Sequence, residues 1–266
     1  MSSLPRRSAK FLLRWTRRGV LLNASVCAAF VFIASTAKDD RLRKAIHAAP
    51  ALSIPRAHPW TATIAEYASK WAKGSRRVAT AAVMTTDELA MMQSVVSLLS
   101  FDLRPEVFDS FLTTAEVTDT LVCVRGLSEL KDAWTFLALF FVETKPVIQA
   151  VYRGASGELI AEIETQATPI LLSLAKPVVF RSVIVCRTAP NVLGGSRIRT
   201  LEHHWFGGPI VGSMSYNPWP FAWLGDSARR WNGLVLSLLT NWRSADFPTV
   251  NRLASPVGPT SSSSGT

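Results

Sequence analysis

Charge is scarce in this sequence: 18% of its 266 residues are Asp, Glu, Lys or Arg, against the usual quarter or so. With 48% apolar residues and a mean hydropathy of +0.20, that excludes a wholly disordered chain and supports one well-filled core plus extras. Cysteine is also rare. Cys27, Cys123 and Cys186 form no CxxC pair, and the four histidines have no zinc-finger spacing, so a disulfide framework and a structural zinc site are both excluded. The three read as small buried apolar residues. There is no Gly-rich phosphate loop, no nucleophile elbow and no HExxH. Acidic residues are absent before Asp39.

What is present is unevenly placed. The net charge is +10, yet residues 1–77 carry 15 basic and 3 acidic residues while 78–266 carry 14 and 16. The main domain therefore has no charge excess for a nucleic-acid-binding face. Arg7, Lys10, Arg14 and Arg17 share one helical face beside Phe11, Leu12 and Trp15. An acid-free, Arg-rich, amphipathic leader is the signature of an organellar presequence; the alternative is a basic flank of an anchor. Gly19 to Ala37 is an uncharged run of 19 residues, about 28 Å as a helix and close to a bilayer's hydrocarbon thickness. A single transmembrane or signal-anchor helix is the preferred reading. A cleaved signal ending at Ser35-Thr36-Ala37, or a helix buried in a soluble protein, are its rivals. The one sequon, Asn23-Ala24-Ser25, lies inside the run and cannot act as a surface glycosylation acceptor.

Residues 1–45 are thus read as presequence and single transmembrane anchor, and 46–84 as a linker with Pro50, Pro55 and Pro59. Within it Trp60, Ile64, Tyr67 and Trp71 make one aromatic stripe on a short helix. Lys70, Lys73, Arg76 and Arg77 adjoin it, which suits a membrane interface or a helix packed on the main domain. The main domain is placed at 85–245. Thr85 to Glu88 reads as a capping box before Leu89, Met92, Val96 and Leu99. A second helix is expected from Pro105, a strand over 116–125, and a third helix capped by Ser128. Four strands then follow near 145–153, 158–172, 177–188 and 196–206. Residues 246–266, rich in Ser, Pro and Gly, read as a disordered tail.

The order helix, helix, strand, helix, four strands, with TAEVTDTLVCVRGLSELKDAW at the strand-to-helix step, resembles the nuclear-transport-factor-two-like (SnoaL-like) superfamily. The later RIRTLEHHWFGG resembles the last long strand of its eukaryotic SigF-like branch. The resemblance covers roughly 160 residues. It implies an α+β cone: a curved antiparallel sheet wrapped around N-terminal helices, with a cavity at its mouth. It also allows a homodimer through the sheet. Members include isomerases, cyclases, dehydratases and binding modules, so the fold alone selects no reaction.

Strand parity supplies site candidates. Putting Arg181, Arg187, Arg197, Arg199, Glu162 and Glu164 on the outer face pairs charges across strands. Glu202 and His204 then point inward, as a carboxylate and an imidazole fit for general acid–base work. The resemblance adds Asp119 as a third candidate. Trp134, Phe180, Ile184, Ile198 and Phe206 are expected to line the cavity. The aromatic, proline-broken stretch from Gly207 to Trp231 covers the cavity mouth or lies in a membrane interface, with Trp219 and Trp223 joining Trp60 and Trp71 there. A closing helix capped by Asp226 or Ser227 carries Trp231, Leu234, Val235, Leu238 and Trp242 as one stripe, read as core packing on the sheet.

The resulting expectation is a membrane-attached cone domain in an organelle, mitochondrion or plastid before endomembrane. It binds a small apolar ligand or acts as a scaffold. The alternative is an isomerase, cyclase or dehydratase using Glu202, His204 or Asp119. No cofactor, no metal and no nucleic-acid partner is expected.

Overall fold

The computed structural model describes residues 27–29, 31–53, 80–170, 177–191, 194–210 and 221–244. The leader, the Trp60–Trp71 stripe, Trp219 and the C-terminal tail lie outside the described residues. The elements are α1 (Asp40–Ala48), β1 (Ala51–Ser53), β2 (Thr80–Val83), α2 (Thr86–Leu99), a 3-10 turn (Pro105–Ser110), β3 (Phe111–Asp119), β4 (Cys123–Arg125), α3 (Leu127–Ala138), β5 (Phe141–Arg153), β6 (Leu159–Pro169), β7 (Val178–Pro190), β8 (Ser196–Trp205) and α4 (Phe221–Ser244).

The strands form one curved sheet in the order β2-β1-β5-β6-β7-β8-β3-β4. It is α+β, but mixed rather than antiparallel: β3 runs parallel to β8, and β1 parallel to β2. Strands β5 to β8 follow one another through short connections, which makes each pair antiparallel. β3 meets β8 only after the chain has crossed through α3, so no hairpin dictates their relative direction.

Local signals place the helices. Thr85 accepts from the Glu88 N–H and Glu88 returns to the Thr85 N–H at 2.7 Å, the reciprocal cap that starts α2. Pro105 opens six residues of 3-10 helix, two turns, instead of a second α-helix, and Phe111 is already in β3. α3 starts at Leu127 after Gly126, whose φ of +85° suits glycine; Ser128 lies inside the helix and does not cap it.

Both faces of the sheet are covered. On the concave face Met91, Met92, Val95 and Leu98 of α2 and Leu130, Ala133 and Trp134 of α3 pack on Leu159, Ala161, Ile163, Ile184, Cys186, Ile198 and Leu201. Each such aliphatic burial contributes about 1.5–3 kcal/mol. On the convex face Leu42 of α1 packs on Tyr152, Ile160, Val183 and Val185. The end of the segment read as presequence and anchor, with the first residues of the linker, thus supplies α1, capped by Asp39, and the linker supplies β1 and β2 at the sheet edge.

The uncharged run divides. Residues 27–29 and 31–36 are helical. Ala34 is 0% exposed and lies against Gly208, where a Cβ would collide with the Ala34 carbonyl. Cys27 Sγ lies 3.6 Å from Asn232 Nδ2. This half of the run takes the rival reading, a helix docked on the protein. No helix among the described residues is long and apolar enough to cross a membrane. Helix α4 starts at Phe221, ahead of the expected caps Asp226 and Ser227.

Candidate functional site

Parity along β8 does not run unbroken. The ladder with β7 pairs Arg187 with Thr200 and Thr188 with Ile198, so Arg199 is an extra residue on β8. The ladder with β3 also shifts its register over this stretch. A bulge of this kind resets the alternation of side chains. Ile198 and Leu201, three apart, both reach the concave core. Below the bulge His203 then faces in, and Glu202 and His204 face out. The placement of Glu202 and His204 in the cavity is therefore corrected: both sit on the convex face, opposite Val185 and Val183.

There they form a closed network. His204 is 0% exposed. Its Nδ1 lies 3.1 Å from the Gly208 carbonyl and its Nε2 lies 3.3 Å from Glu202 Oε2. Glu202 Oε1 accepts from Arg187 at 3.0 Å. Burial pulls the Glu202 carboxyl up, but the His204 hydrogen bond and the Arg187 charge outweigh it and hold the group below its usual range. Every polar end has a partner, which is how a structural buried group is satisfied. Beside it, Arg187, Arg199, Thr188, Thr200 and the β5–β6 turn line a shallow outer cavity of about 300 Å³. Arg181 pairs with Glu164 at 3.3 Å, as charge pairing across strands requires.

The concave face differs. His203 pairs with Asp119 across the β3–β8 ladder and with Ile184 across β7–β8. Asp119 Oδ1 accepts from the Leu121 and Val122 N–H groups, both at 2.6 Å, closing the β3–β4 turn. Burial pushes its carboxyl up to about 6, against those two donors and the Arg229 charge. Burial, with a smaller push from His204, brings the His203 imidazole down to about 3. A neutral imidazole and a reluctant carboxyl thus sit side by side at neutral pH.

Further along that face, Ser182 pairs with Trp205, Ser182 with Ile163, and Thr165 with Phe180 and Pro146. Thr144 lies two residues beyond Pro146 on the same face. Five buried polar atoms on four adjacent strands have no hydrogen-bond partner: Thr144 Oγ1, Thr165 Oγ1, Ser182 Oγ, His203 Nε2 and Trp205 Nε1. Aromatic rings flank them. His203 and Trp205 centroids are 6.1 Å apart, and Phe180 lies 6.0 Å from both Trp205 and Phe206. Buried polar atoms of this kind ordinarily have partners, and these five on one face find none among the described residues.

Of the residues expected at the site, the structure brings Asp119, Ile184 and Phe180 to the concave face beside His203. Trp134 and Ile198 belong to the core beneath α2 and α3. Phe206 follows β8 with φ +57°, its ring tilted against that of Phe180. Trp223 is exposed on α4; Trp60, Trp71 and Trp219 are outside the described residues. His203, Ser182, Thr165, Thr144 and Trp205 were not among the sequence candidates. One signal could have found His203: Arg187 and Glu202 are, like Arg181 and Glu164, a cross-strand charge pair, and putting both outside forces His203 inside. No group of three or more His, Cys, Asp or Glu side chains among the described residues could hold a metal ion. Cys123 and Cys186 are buried, and burial drives the Cys186 thiol up to about 12.

Compared with known proteins, the chain matches no family model and no curated protein. It is similar in structure to a hypothetical protein with a ketosteroid isomerase-like fold from Catenulispora acidiphila: 10% identity, TM-score 0.37, 42% of this chain and 82% of that one. It is also similar to a hexachlorocyclohexane dehydrochlorinase from Novosphingobium barchaimii, at 7% identity and TM-score 0.41, over 49% of this chain and 91% of that one. A third is a nuclear-transport-factor-two-like protein of unknown function from an Exiguobacterium species: 12% identity, TM-score 0.35, 43% of this chain and 97% of that one. Less than half of this chain is covered in each.

Proposed function

We propose that the concave face of the sheet binds a small, largely apolar molecule carrying at least one hydrogen-bonding group. The observation behind this reading is the row of five buried, partnerless polar atoms on β5 to β8. Each orphan costs about 1–3 kcal/mol of lost hydration, a cost that a ligand's own donors and acceptors offset. The aromatic rings of Phe180 and Trp205 supply apolar walls. 2-Naphthol, an aromatic ring with one hydroxyl, is a suitable probe. Saturable quenching of tryptophan emission by this probe, lost in Ser182→Phe, supports the site. Binding that is absent, or that survives Ser182→Phe unchanged, opposes it.

A second reading is favoured by one observation, the Asp119 carboxyl raised to about 6 beside a neutral His203. A carboxylate of that basicity in an apolar site suits proton abstraction, as an isomerase, cyclase or dehydratase requires. Exchange of solvent deuterium into an apolar ketone α to its carbonyl, abolished by Asp119→Asn, is the test. The basic leader supports delivery to an organelle, mitochondrion or plastid, and a scaffold role remains the non-ligand version of the binding reading. Membership of the SigF-like branch rests on the RIRTLEHHWFGG strand.

A further inference from the structure

We propose that α4 is a lipid-facing helix that lies along the surface of a bilayer containing anionic headgroups. The inference is independent of any ligand on the concave face. It starts from how α4 is attached. Its inward side is mostly polar and small, with Leu236 packed against the core. Arg230 pairs with Glu129, with one bond at 2.7 Å. Asn232 donates to the Leu121 carbonyl at 2.8 Å, Ser237 reaches Asp132 at 3.1 Å, and Thr240 donates to the Asp132 carbonyl at 2.8 Å. Gly233 lies on the Cys123 carbonyl, where a Cβ would collide.

The outward side is the apolar one. Trp223 is 69% exposed, Trp231 64% and Leu238 67%. With 3.6 residues per turn these three fall within an arc of about 80°, with Leu234 between them. A helix docked as ordinary core would turn this stripe to the sheet; α4 turns it away. Of the expected stripe of Trp231, Leu234, Val235, Leu238 and Trp242, Trp231 and Leu238 face outward, Leu234 and Val235 are half-buried, and the Trp242 side chain lies outside the described residues.

Two further features choose a lipid surface as the occupant. Exposed Trp with Leu suits the headgroup boundary, where the ring is buried and the indole N–H stays hydrated. And the chain enters beside α4: Cys27 lies against Asn232, and the 26 residues before it carry Arg6, Arg7, Lys10, Arg14, Arg17 and Arg18 with no acidic residue. Basic groups draw a protein to anionic headgroups at about 1 kcal/mol each when they lie near the surface. Arg229, Arg230 and Asp226 within α4 fit a helix lying on the bilayer, not crossing it.

The test uses the full chain with Cys27→Ser and a single environment-sensitive fluorophore on Leu238→Cys, or on Ser156→Cys in the β5–β6 turn as control. Vesicles are phosphatidylcholine with about one-fifth phosphatidylserine. The Leu238 label should shift to the blue on vesicle addition while the Ser156 label stays unchanged. Trp223→Ser with Trp231→Ser should lower the bound fraction about tenfold. Three results overturn the proposal: no vesicle binding, binding with the Leu238 label unmoved, or a blue shift that follows protein concentration without lipid. The last would assign the stripe to a second copy of this chain.

Discussion

His203 and His204 are neighbours in sequence, both buried, on opposite faces of one strand. His204 has both ring nitrogens engaged, by Gly208 and Glu202. His203 leaves Nε2 without a partner, among hydroxyls and an indole in the same condition. Burial does not separate the two, since each is under a tenth exposed. Satisfaction does. A satisfied network holds a structure together, whereas an unsatisfied one is costly. The His204 network therefore reads as architecture, and the open row around His203 is what the binding proposal rests on.

Substitutions should separate the faces by sign. The largest effect is expected for His204→Ala, which empties a fully buried volume and strips partners from Glu202 and the Gly208 carbonyl. A loss of about 2–4 kcal/mol in urea unfolding is expected. Next comes Gly208→Ala, which forces the 31–36 helix off the sheet. It should cost about 1–3 kcal/mol and make that helix the first site of proteolysis. A loss below about 0.5 kcal/mol would show that Ala34 and Gly208 do not pack in solution.

The pH dependence sharpens the contrast within the concave face. Folded Asp119 keeps its proton to about 6, while the unfolded carboxyl loses it near 4. Over that window the native state holds the extra proton, so this group makes stability fall as pH rises. Folded His203 refuses a proton down to about 3, while the unfolded imidazole takes one below about 6.5. Here the unfolded state holds the extra proton, so stability rises with pH. The two slopes oppose between pH 4 and 6. Relative to the wild type, Asp119→Asn should gain about 1.4 kcal/mol per pH unit as pH rises, and His203→Gln should lose about as much. Parallel curves for both variants would mean that neither group is buried as described.

The smallest effect is Ser182→Ala. Removing an orphaned hydroxyl should leave stability unchanged or raise it by up to about 1 kcal/mol, the reverse of His204→Ala. Equal losses on the two faces would erase the comparison.

How much of this was legible in the sequence depends on range. The Thr85–Glu88 capping box needs only four residues and was read correctly. Arg181 and Glu164 also found each other, because opposite charges on adjacent strands of one sheet have few other partners. The bulge at Arg199 was not legible: an extra residue on β8 exists only relative to β7 and β3. One unseen residue moved Glu202 and His204 from one face to the other. The parallel β3–β8 pairing and the outward stripe of α4 failed for the same reason, since each is set by a partner distant in sequence. The Trp–Leu spacing on α4 was visible; which way it faced was decided by Glu129, Asp132 and Leu121.

The most direct test of the account is a nuclear magnetic resonance titration of the chain with 2-naphthol, following both imidazoles and the Trp205 indole N–H. The His203 and Trp205 signals should shift saturably and together, while His204 stays fixed. A titration in which His204 moves and His203 does not would contradict the assignment of the two faces, and with it the site.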